Sequence, residues 1–259
     1  MDDDHALAAL AATTSAMLAT VRGADPAAAV PACPGWSVTD LVDHLGRVHL
    51  WAAHSVREGT PPDPYPRRNR EQPLADWYAG CADAIVSTLT GLAPDHAAWS
   101  FSANPSHRTA RFWRRRQLHE TTVHHVDALQ ALGLLPLTGP VGVVPGLTPE
   151  DAADGVAEVF EVMAPRSLVR HADRAPLEVV PAREPIAFCC TDADGSWTVQ
   201  VIDGSVDLVE GVSEGVVARV SGPATQLYLA LWHRADAGEL SLEGDELAAS
   251  RLLGASLVP

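Results

Sequence analysis

Hydrophobic residues recur on a helical period through the first part of the chain. Five segments show this period, over residues 4–21, 38–58, 74–92, 109–132 and 148–163. The second segment begins with a capping box, in which the side chains of Ser37 and Asp40 accept from each other's backbone amides. The fourth segment ends at Gly133, with Pro136 beyond it as a stop. This part of the chain therefore predicts a helical bundle.

The hydrophobic period changes after Pro165. Apolar residues then fall in short strand-like runs separated by turn residues. These runs cover residues 186–191, 197–202, 206–209, 216–220 and 240–242. A helical segment at 223–234 and a final helix after Asp245 accompany them. We therefore predict two domains, with the helical part over residues 1–168 and a small α+β domain with a mainly antiparallel sheet over 169–259.

Composition and charge narrow the function classes. The chain has 259 residues, 47% of them hydrophobic, and a formal net charge of -15. Nucleic acids and anionic membranes attract clustered positive charge, so an acidic chain without a basic tail argues against both as partners. The cysteines show no C-x-x-C spacing, and a disulfide framework is not predicted. They are Cys33, Cys81, Cys189 and Cys190.

The N-terminal residues lack the features of a secretory signal. The run Met1-Asp2-Asp3-Asp4 has no positive region. No uninterrupted apolar run in the chain reaches about 18 residues, the length that a membrane-spanning helix needs. We therefore expect a soluble, cytoplasmic protein, and a monomer suits a two-domain chain of this size.

The helix predicted over residues 109–132 has acid and imidazole groups where an apolar stripe is expected. Glu120 and His124 lie one turn apart on one face, at about 100° per residue. His119-Glu120 followed by His124 resembles the zinc-protease motif H-E-x-x-H, but the spacing here is H-E-x-x-x-H. The two histidines would lie about 140° apart on a helix, so the protease motif is excluded. Glu120 and His124 offer two metal ligands, and a third must come from elsewhere.

The candidate for the third ligand is His44, which falls within the apolar stripe of the helix over residues 38–58. If this helix packs with His44 facing Glu120 and His124, ligands of N, N and O type converge. Three protein ligands and one open position are typical of a catalytic zinc or similar divalent site. The alternative is an ordinary core histidine beside an i, i+4 pair. Spacing alone leaves both open and favours the alternative, because such pairs are common on solvated faces.

Three neighbours of this pair have ordinary interpretations. Asp127 lies three residues after His124. If His124 binds a metal, the Asp127 carboxylate can accept a hydrogen bond from its imidazole and so orient the ring. A solvated position for Asp127 is nevertheless expected. His119 and His125 fall off the Glu120 face, and we expect them to be surface histidines or histidines with ordinary hydrogen bonds.

The basic run and one cysteine give weaker signals. Arg111 and the run from Arg114 to Arg116 can hold an anionic substrate, although such runs usually form a solvated face. Cys33 precedes Pro34 in a turn and has no base nearby in the sequence, so the evidence for a nucleophile is weak. Neither feature is assigned to the chemistry.

Three stretches of the chain, residues 30–45, 119–128 and 220–245, resemble one family. The first contains Cys-Pro-Gly-Trp followed by the capping box, and the second contains His-Glu-Thr-Thr-Val-His-His-Val-Asp-Ala. They are similar to the mycothiol-dependent maleylpyruvate isomerase family, and the resemblance covers nearly the whole chain. It implies a DinB-like four-helix bundle followed by the family's C-terminal domain.

The resemblance also implies site residues. The family binds a divalent metal, usually zinc, through a histidine on one helix and a glutamate and histidine four apart on another. These match His44, Glu120 and His124, so the resemblance favours the metal site over the ordinary interpretation. An active-site arginine of the C-terminal domain matches Arg234. Relatives often have glycine where this chain has His233.

The implied function is that of a metal-dependent enzyme with mycothiol as cofactor or co-substrate. A metal with an open position holds a small thiol as thiolate near neutral pH, ready to add to a small-molecule electrophile. In an isomerase, addition to a cis double bond allows rotation to trans and loss of the thiol, with Arg234 holding a substrate carboxylate. In an S-transferase the adduct is the product. The alternative is a non-enzymatic module whose C-terminal domain, resembling sterol-carrier-like folds, binds an apolar ligand or a partner.

Overall fold

The computed structural model describes residues 2–172 and 183–259. Every helix and strand that the hydrophobic period predicts is present, with ends shifted by a few residues. The helices are α1 (Asp3–Gly23), α2 (Val38–Glu58), α3 (Leu74–Thr90), α4 (Ala110–Ala131), α5 (Pro149–Glu158), α6 (Ala164–Ala172), α7 (Ala224–Leu231) and α8 (Glu246–Leu253). The strands are β1 (Ile186–Cys190), β2 (Ser196–Ile202), β3 (Ser205–Glu210), β4 (Ala218–Gly222) and β5 (Ser241–Gly244).

The chain packs as two compact units. The first comprises Met1–Pro136 and Val143–Leu147, and the second comprises Leu137–Gly142 and Thr148–Pro259. The boundary that the sequence suggests, after residue 168, falls inside the second unit. The reason is that α5 packs against α7 and the Phe160 ring lies 5.0 Å from the Phe188 ring of β1. The segment from Thr148 onward therefore packs with the sheet.

The described part of the first unit contains the α-helices α1 to α4. α1 contacts α3 and α4, and α2 contacts the same two helices. Their shared core is made of large side chains with no exposed surface, among them Leu10, Met17, Leu41, Leu45, Ile85 and Leu118. The packing of α2 on α4 is the contact that the candidate site needs, since it brings the helix of His44 beside the helix of Glu120.

Of the described helices, α1 alone is long and apolar enough to cross a membrane by length and composition. A core helix near the N-terminus meets the same test. α1 buries Leu10, Met17 and Val21 against its neighbours. One face of α1 therefore packs into the core of the first unit.

Two features of α2 determine how it is placed. The predicted capping box is present, with Ser37 N donating to Asp40 Oδ2 at 2.9 Å and Asp40 N donating to Ser37 Oγ at 3.3 Å. Farther along, α2 approaches α3 closely at Gly46, where a Cβ would lie 2.6 Å from the indole nitrogen of Trp77. The cap fixes where α2 begins, and Gly46 allows it to lie against α3.

Two buried histidines join helices of the first unit. Nδ1 of His49 on α2 lies 2.7 Å from Oε1 of Gln117 on α4. Nε2 of His125 on α4 lies 3.0 Å from Oγ1 of Thr20 on α1. Burial lowers the pKa of each histidine to about 4. Both rings are therefore neutral at pH 7.

The second unit is built on a five-stranded sheet in the order β3-β2-β1-β4-β5. β1 and β4 are parallel, and the other three neighbouring pairs are antiparallel. The prediction of a mainly antiparallel sheet is confirmed, although the sheet is mixed. Ile186 and Phe188 of the central strand have no exposed surface.

The helix that begins at Pro149 continues past its predicted end near Met163. α5 passes through a π-helical turn at Val159–Met163 directly into α6. The sequence placed the end there because the hydrophobic period changes after Pro165. In the structure Pro165 lies in the first turn of α6, just after the π-helical turn, where the missing N–H is tolerated.

Replacing Gly46 with alanine tests the close packing of α2 on α3. The added Cβ would overlap the buried Trp77 indole, so we expect a loss of about 1–3 kcal/mol of stability in urea unfolding. Gly80→Ala on α3 is the matched control, because a Cβ there meets nothing within 4 Å. That variant should gain about 0.5–1 kcal/mol. Equal stability of the two variants would contradict this packing.

The two neutral buried histidines predict sensitivity to acid. Their pKa of about 4 in the folded protein compares with about 6.5 in an unfolded chain. The stability they confer is complete above about pH 6.5 and falls as the pH drops towards 4, because the unfolded chain takes up the protons first. His125→Gln should reduce the pH slope of the unfolding free energy there by up to about 1.4 kcal/mol per pH unit. Urea unfolding at several pH values measures the slope, and an unchanged slope would show that His125 does not act in this way.

Candidate metal centre

Three side chains from two helices meet at one point in the first unit. His44 on α2 and Glu120 and His124 on α4 offer ligand atoms that all lie within 4.8 Å of one another. Oε1 of Glu120 is 3.5 Å from Nε2 of His44 and 3.4 Å from Nε2 of His124. Within residues 2–172 and 183–259, no other group of His, Cys, Asp and Glu is arranged in this way. The structure thus brings together the three residues that the sequence selected.

The cluster opens to solvent on the side of His44. The side chain of His44 is 31% exposed, compared with 16% for Glu120 and 12% for His124. The His44 ring lies between two other rings, with centroids 5.1 Å from His124 and 5.1 Å from Trp36. Trp36 comes from the Cys-Pro-Gly-Trp turn before α2. His44 is therefore the most exposed of the three side chains, and Trp36 lies against its ring.

Arg116 holds the second oxygen of Glu120. Its guanidinium donates to Oε2 at 2.8 Å, and Arg116 is only 2% exposed. Burial acts to raise the pKa of Glu120, but hydrogen bonds from His124 and His44 and the charge of Arg116 hold it well below its usual range. Glu120 is therefore ionised, with Oε1 directed at the two histidines and Oε2 occupied.

The expectation of a solvated basic face is wrong for Arg114 and Arg116, because both are buried. Arg114 donates to the carbonyls of Leu89 and Leu92 at the end of α3, at 3.0 and 2.9 Å. The sequence did contain a signal for Arg116, since it lies four residues before Glu120, the spacing of an ion pair on one helix face. Because Arg116 stands in a run of three arginines, the run was interpreted as a solvated face and the pair with Glu120 was not singled out.

Asp127 holds the other ring nitrogen of His124. Its Oδ2 accepts from Nδ1 of His124 at 2.9 Å, and Asp127 has no exposed surface. The expected solvated position of Asp127 is therefore wrong. Burial acts to lower the pKa of His124, but Asp127 and Glu120 outweigh it and raise the pKa to about 9. Cys33 Sγ lies 3.8 Å from the same oxygen of Asp127, so the Cys-Pro-Gly-Trp turn also contacts this carboxylate.

The remaining sequence candidates lie outside the cluster. His119 and His125 are buried rather than exposed, and His125 has the hydrogen bond expected of an ordinary core histidine. Arg234 belongs to the second unit, where its guanidinium donates to the Trp232 carbonyl at 2.7 Å. The preceding residue, His233, has φ of 57°, a backbone conformation that favours glycine. The catalytic role of Arg234 stays a prediction.

The donor atoms suit a divalent cation. A tetrahedral zinc ion with bonds of about 2.0–2.1 Å separates its ligand atoms by about 3.4 Å. The separations of Glu120 Oε1 from the two histidine nitrogens, 3.5 and 3.4 Å, match that value. Arg116 and Asp127 occupy the outer atoms of Glu120 and His124, so Oε1 and Nε2 are the atoms presented to a shared ion. Two imidazoles and one carboxylate are also ligands that zinc accepts.

Comparison with known protein families gives two matches along the chain. The family model described as the mycothiol maleylpyruvate isomerase N-terminal domain matches residues 7–129, which include all three residues of the cluster. The model described as the MDMPI C-terminal domain matches residues 150–251, which include Arg234. No similarity to an individual curated protein was found. Because the two matches together span most of the chain, it belongs to the mycothiol maleylpyruvate isomerase family.

Proposed function

We propose that this protein is a metal-dependent enzyme that uses mycothiol as cofactor or co-substrate, of maleylpyruvate isomerase or S-transferase type. The observation that supports the proposal most directly is the convergence of His44, Glu120 and His124 in a chain of this family. The proposal treats α1 to α4 as the DinB-like four-helix bundle. It also includes a cytoplasmic location, where small thiols are kept reduced.

The proposed metal ligands are His44, Glu120 and His124, with zinc as the first candidate among divalent ions. When bound, the cation supplies positive charge that favours the thiolate form of a thiol near neutral pH. Arg116 keeps Glu120 anionic and its Oε1 available. Asp127 keeps Nδ1 of His124 protonated, which fixes the orientation of the ring and leaves Nε2 as the atom that binds the metal.

The chain's other residues have proposed roles towards the substrates. The exposed side of His44 is the direction from which the thiol arrives. Arg234, the family's matching arginine, is proposed to bind a substrate carboxylate through its planar guanidinium. Isomerase and transferase share the formation of one carbon–sulfur bond and differ in whether the thiol then leaves. The residues of the cluster serve either outcome.

Metal content tests the assignment of the ligands. Purified protein should contain about one equivalent of divalent metal, and His44→Ala and Glu120→Ala should each lose most of it while remaining folded. His54→Ala is the matched control, on the same helix but outside the cluster. Asp127→Asn keeps all three donors and should weaken metal affinity about 10–100-fold. Elemental analysis and circular dichroism measure the outcome, and full retention of metal in both alanine variants would exclude this site.

Turnover tests the role of the thiol. Metal-loaded protein should isomerise maleylpyruvate, or form a thiol adduct with another electrophile, only when mycothiol is present. Proton NMR detects the cis to trans change and mass spectrometry detects the adduct. Arg234→Met should lose activity and keep its metal, whereas His54→Ala should retain both. Bound metal without thiol-dependent turnover of any electrophile would contradict the enzyme, and tight binding of an apolar ligand would then favour the binding module.

A further inference from the structure

A cluster of aromatic rings lies in the first unit around Trp51 of α2. The Trp51 centroid is 5.4 Å from Trp99, 5.2 Å from Trp113 and 6.3 Å from Phe101. Tyr65, from the proline-rich loop between α2 and α3, lies 6.4 Å from Trp51. The rings come from two helices and two loops. The cluster therefore forms only when these four segments pack together.

The exposure of these rings increases outward. Trp113 has no exposed surface, whereas Tyr65 is 43% exposed. Trp51, Trp99 and Phe101 lie between these extremes. A cluster that only packed the core would bury its rings, and partly exposed rings grouped together are typical of a binding surface. We refer to the four partly exposed rings as the aromatic wall: Trp51, Tyr65, Trp99 and Phe101.

The aromatic wall adjoins the candidate metal centre. Trp51 follows His44 by seven residues, so it lies on the same face of α2 about two turns away, roughly 10 Å along the helix axis. On the other side of the wall, burial raises the pKa of Tyr65, and the Glu120 carboxylate adds to that rise while Arg47 opposes it. Tyr65 is thus within electrostatic range of Glu120. A molecule held at the centre can extend onto the wall.

Positive charge lies beside Tyr65 of the aromatic wall. Arg47 is three residues after His44, and its guanidinium carbon is 5.8 Å from the centre of the Tyr65 ring. Arg47 and Arg68 share one carboxylate, Asp43, at 3.5 and 3.4 Å. Among these three residues the positive charges outnumber the negative by one, in a chain whose net charge is -15. This strip therefore suits a ligand with one negative charge.

We propose that the aromatic wall binds the electrophilic substrate, and that this substrate is planar, contains a ring and carries one negative charge. Its ring packs against Trp51 and Tyr65, and its anionic group faces Arg47. Aromatic pairs add stabilisation beyond the area they bury, which gives preference over an acyclic compound of the same charge. The inference rests on the proposed function, because it names the class of electrophile for that centre.

Three ligands separate the contributions of ring and charge. trans-Cinnamate has a conjugated carboxylate and a ring, crotonate has the same carboxylate without the ring, and trans-cinnamamide has the ring without the charge. Isothermal titration of the metal-loaded protein should show cinnamate binding at least about threefold more tightly than either of the others. Equal affinity for cinnamate and crotonate would overturn the role of the ring, and equal affinity for cinnamate and cinnamamide that of the charge.

Variants assign the contributions to residues. Trp51→Ala should weaken cinnamate binding about three- to tenfold and leave crotonate unchanged, whereas Trp51→Phe should keep most of the affinity. Arg47→Gln should weaken cinnamate and leave cinnamamide unchanged. Trp197→Phe, in the second unit, is the control for loss of a tryptophan. Because Trp51→Ala also opens a packed cluster, Arg47→Gln and Trp51→Phe decide the test if the alanine variant unfolds.

Metal content and mycothiol binding, measured on the same samples, separate this inference from the proposed function. Protein that holds metal and mycothiol but binds the three ligands equally would show the inference to be wrong and leave the proposed function intact. Protein that holds no metal would exclude both. Cinnamate selectivity that disappears in Arg47→Gln and Trp51→Ala, with metal content unchanged, would establish the aromatic wall as the substrate site.

Discussion

The ion pair between Arg116 and Glu120 is the interaction on which the candidate centre depends. A carboxylate largely removed from water is costly to ionise unless it is paired and hydrogen-bonded. Arg116, itself buried, supplies that pairing at 2.8 Å and keeps the carboxylate charged beside two imidazoles. Asp127 likewise pairs with His124, accepting a hydrogen bond from its Nδ1 at 2.9 Å. The four side chains lie along one side of a single helix, which explains why α4 is polar where a core helix is usually apolar.

The sequence predicted the elements and the three central residues for identifiable reasons. Helical and strand periods, together with the capping box at Ser37, depend on local interactions, which a sequence displays directly. Glu120 and His124 share a helix face by spacing alone. His44 was found because an imidazole inside an apolar stripe is unusual. Spacing leaves a metal ligand and a core histidine both open. The resemblance to the family favours the metal ligand, and the packing of α2 on α4 brings Nε2 of His44 to 3.5 Å from Oε1 of Glu120.

The features that the sequence did not reveal depend on burial and on contacts between distant segments. Arg116 and Asp127 have the composition of a solvated face, and only the packing around α4 makes them buried partners of the cluster. The continuation of the helix through Pro165 depends on a π-helical turn for which the sequence has no simple pattern. The aromatic rings around Trp51 come from four segments, so no periodic signal joins them. The second unit begins near Thr148 because α5 packs on α7, a contact invisible in a linear sequence.

The distribution of the proposed metal ligands over α2 and α4 has a mechanical consequence. His44 and Glu120 are far apart in the chain, and they belong to helices joined by two loops and α3. A cation bound to residues of both helices would link them directly. Its binding free energy would then be coupled to the stability of the contact between α2 and α4. A cation bound there would therefore stabilise the packing of α2 on α4, and with it the core of the first unit.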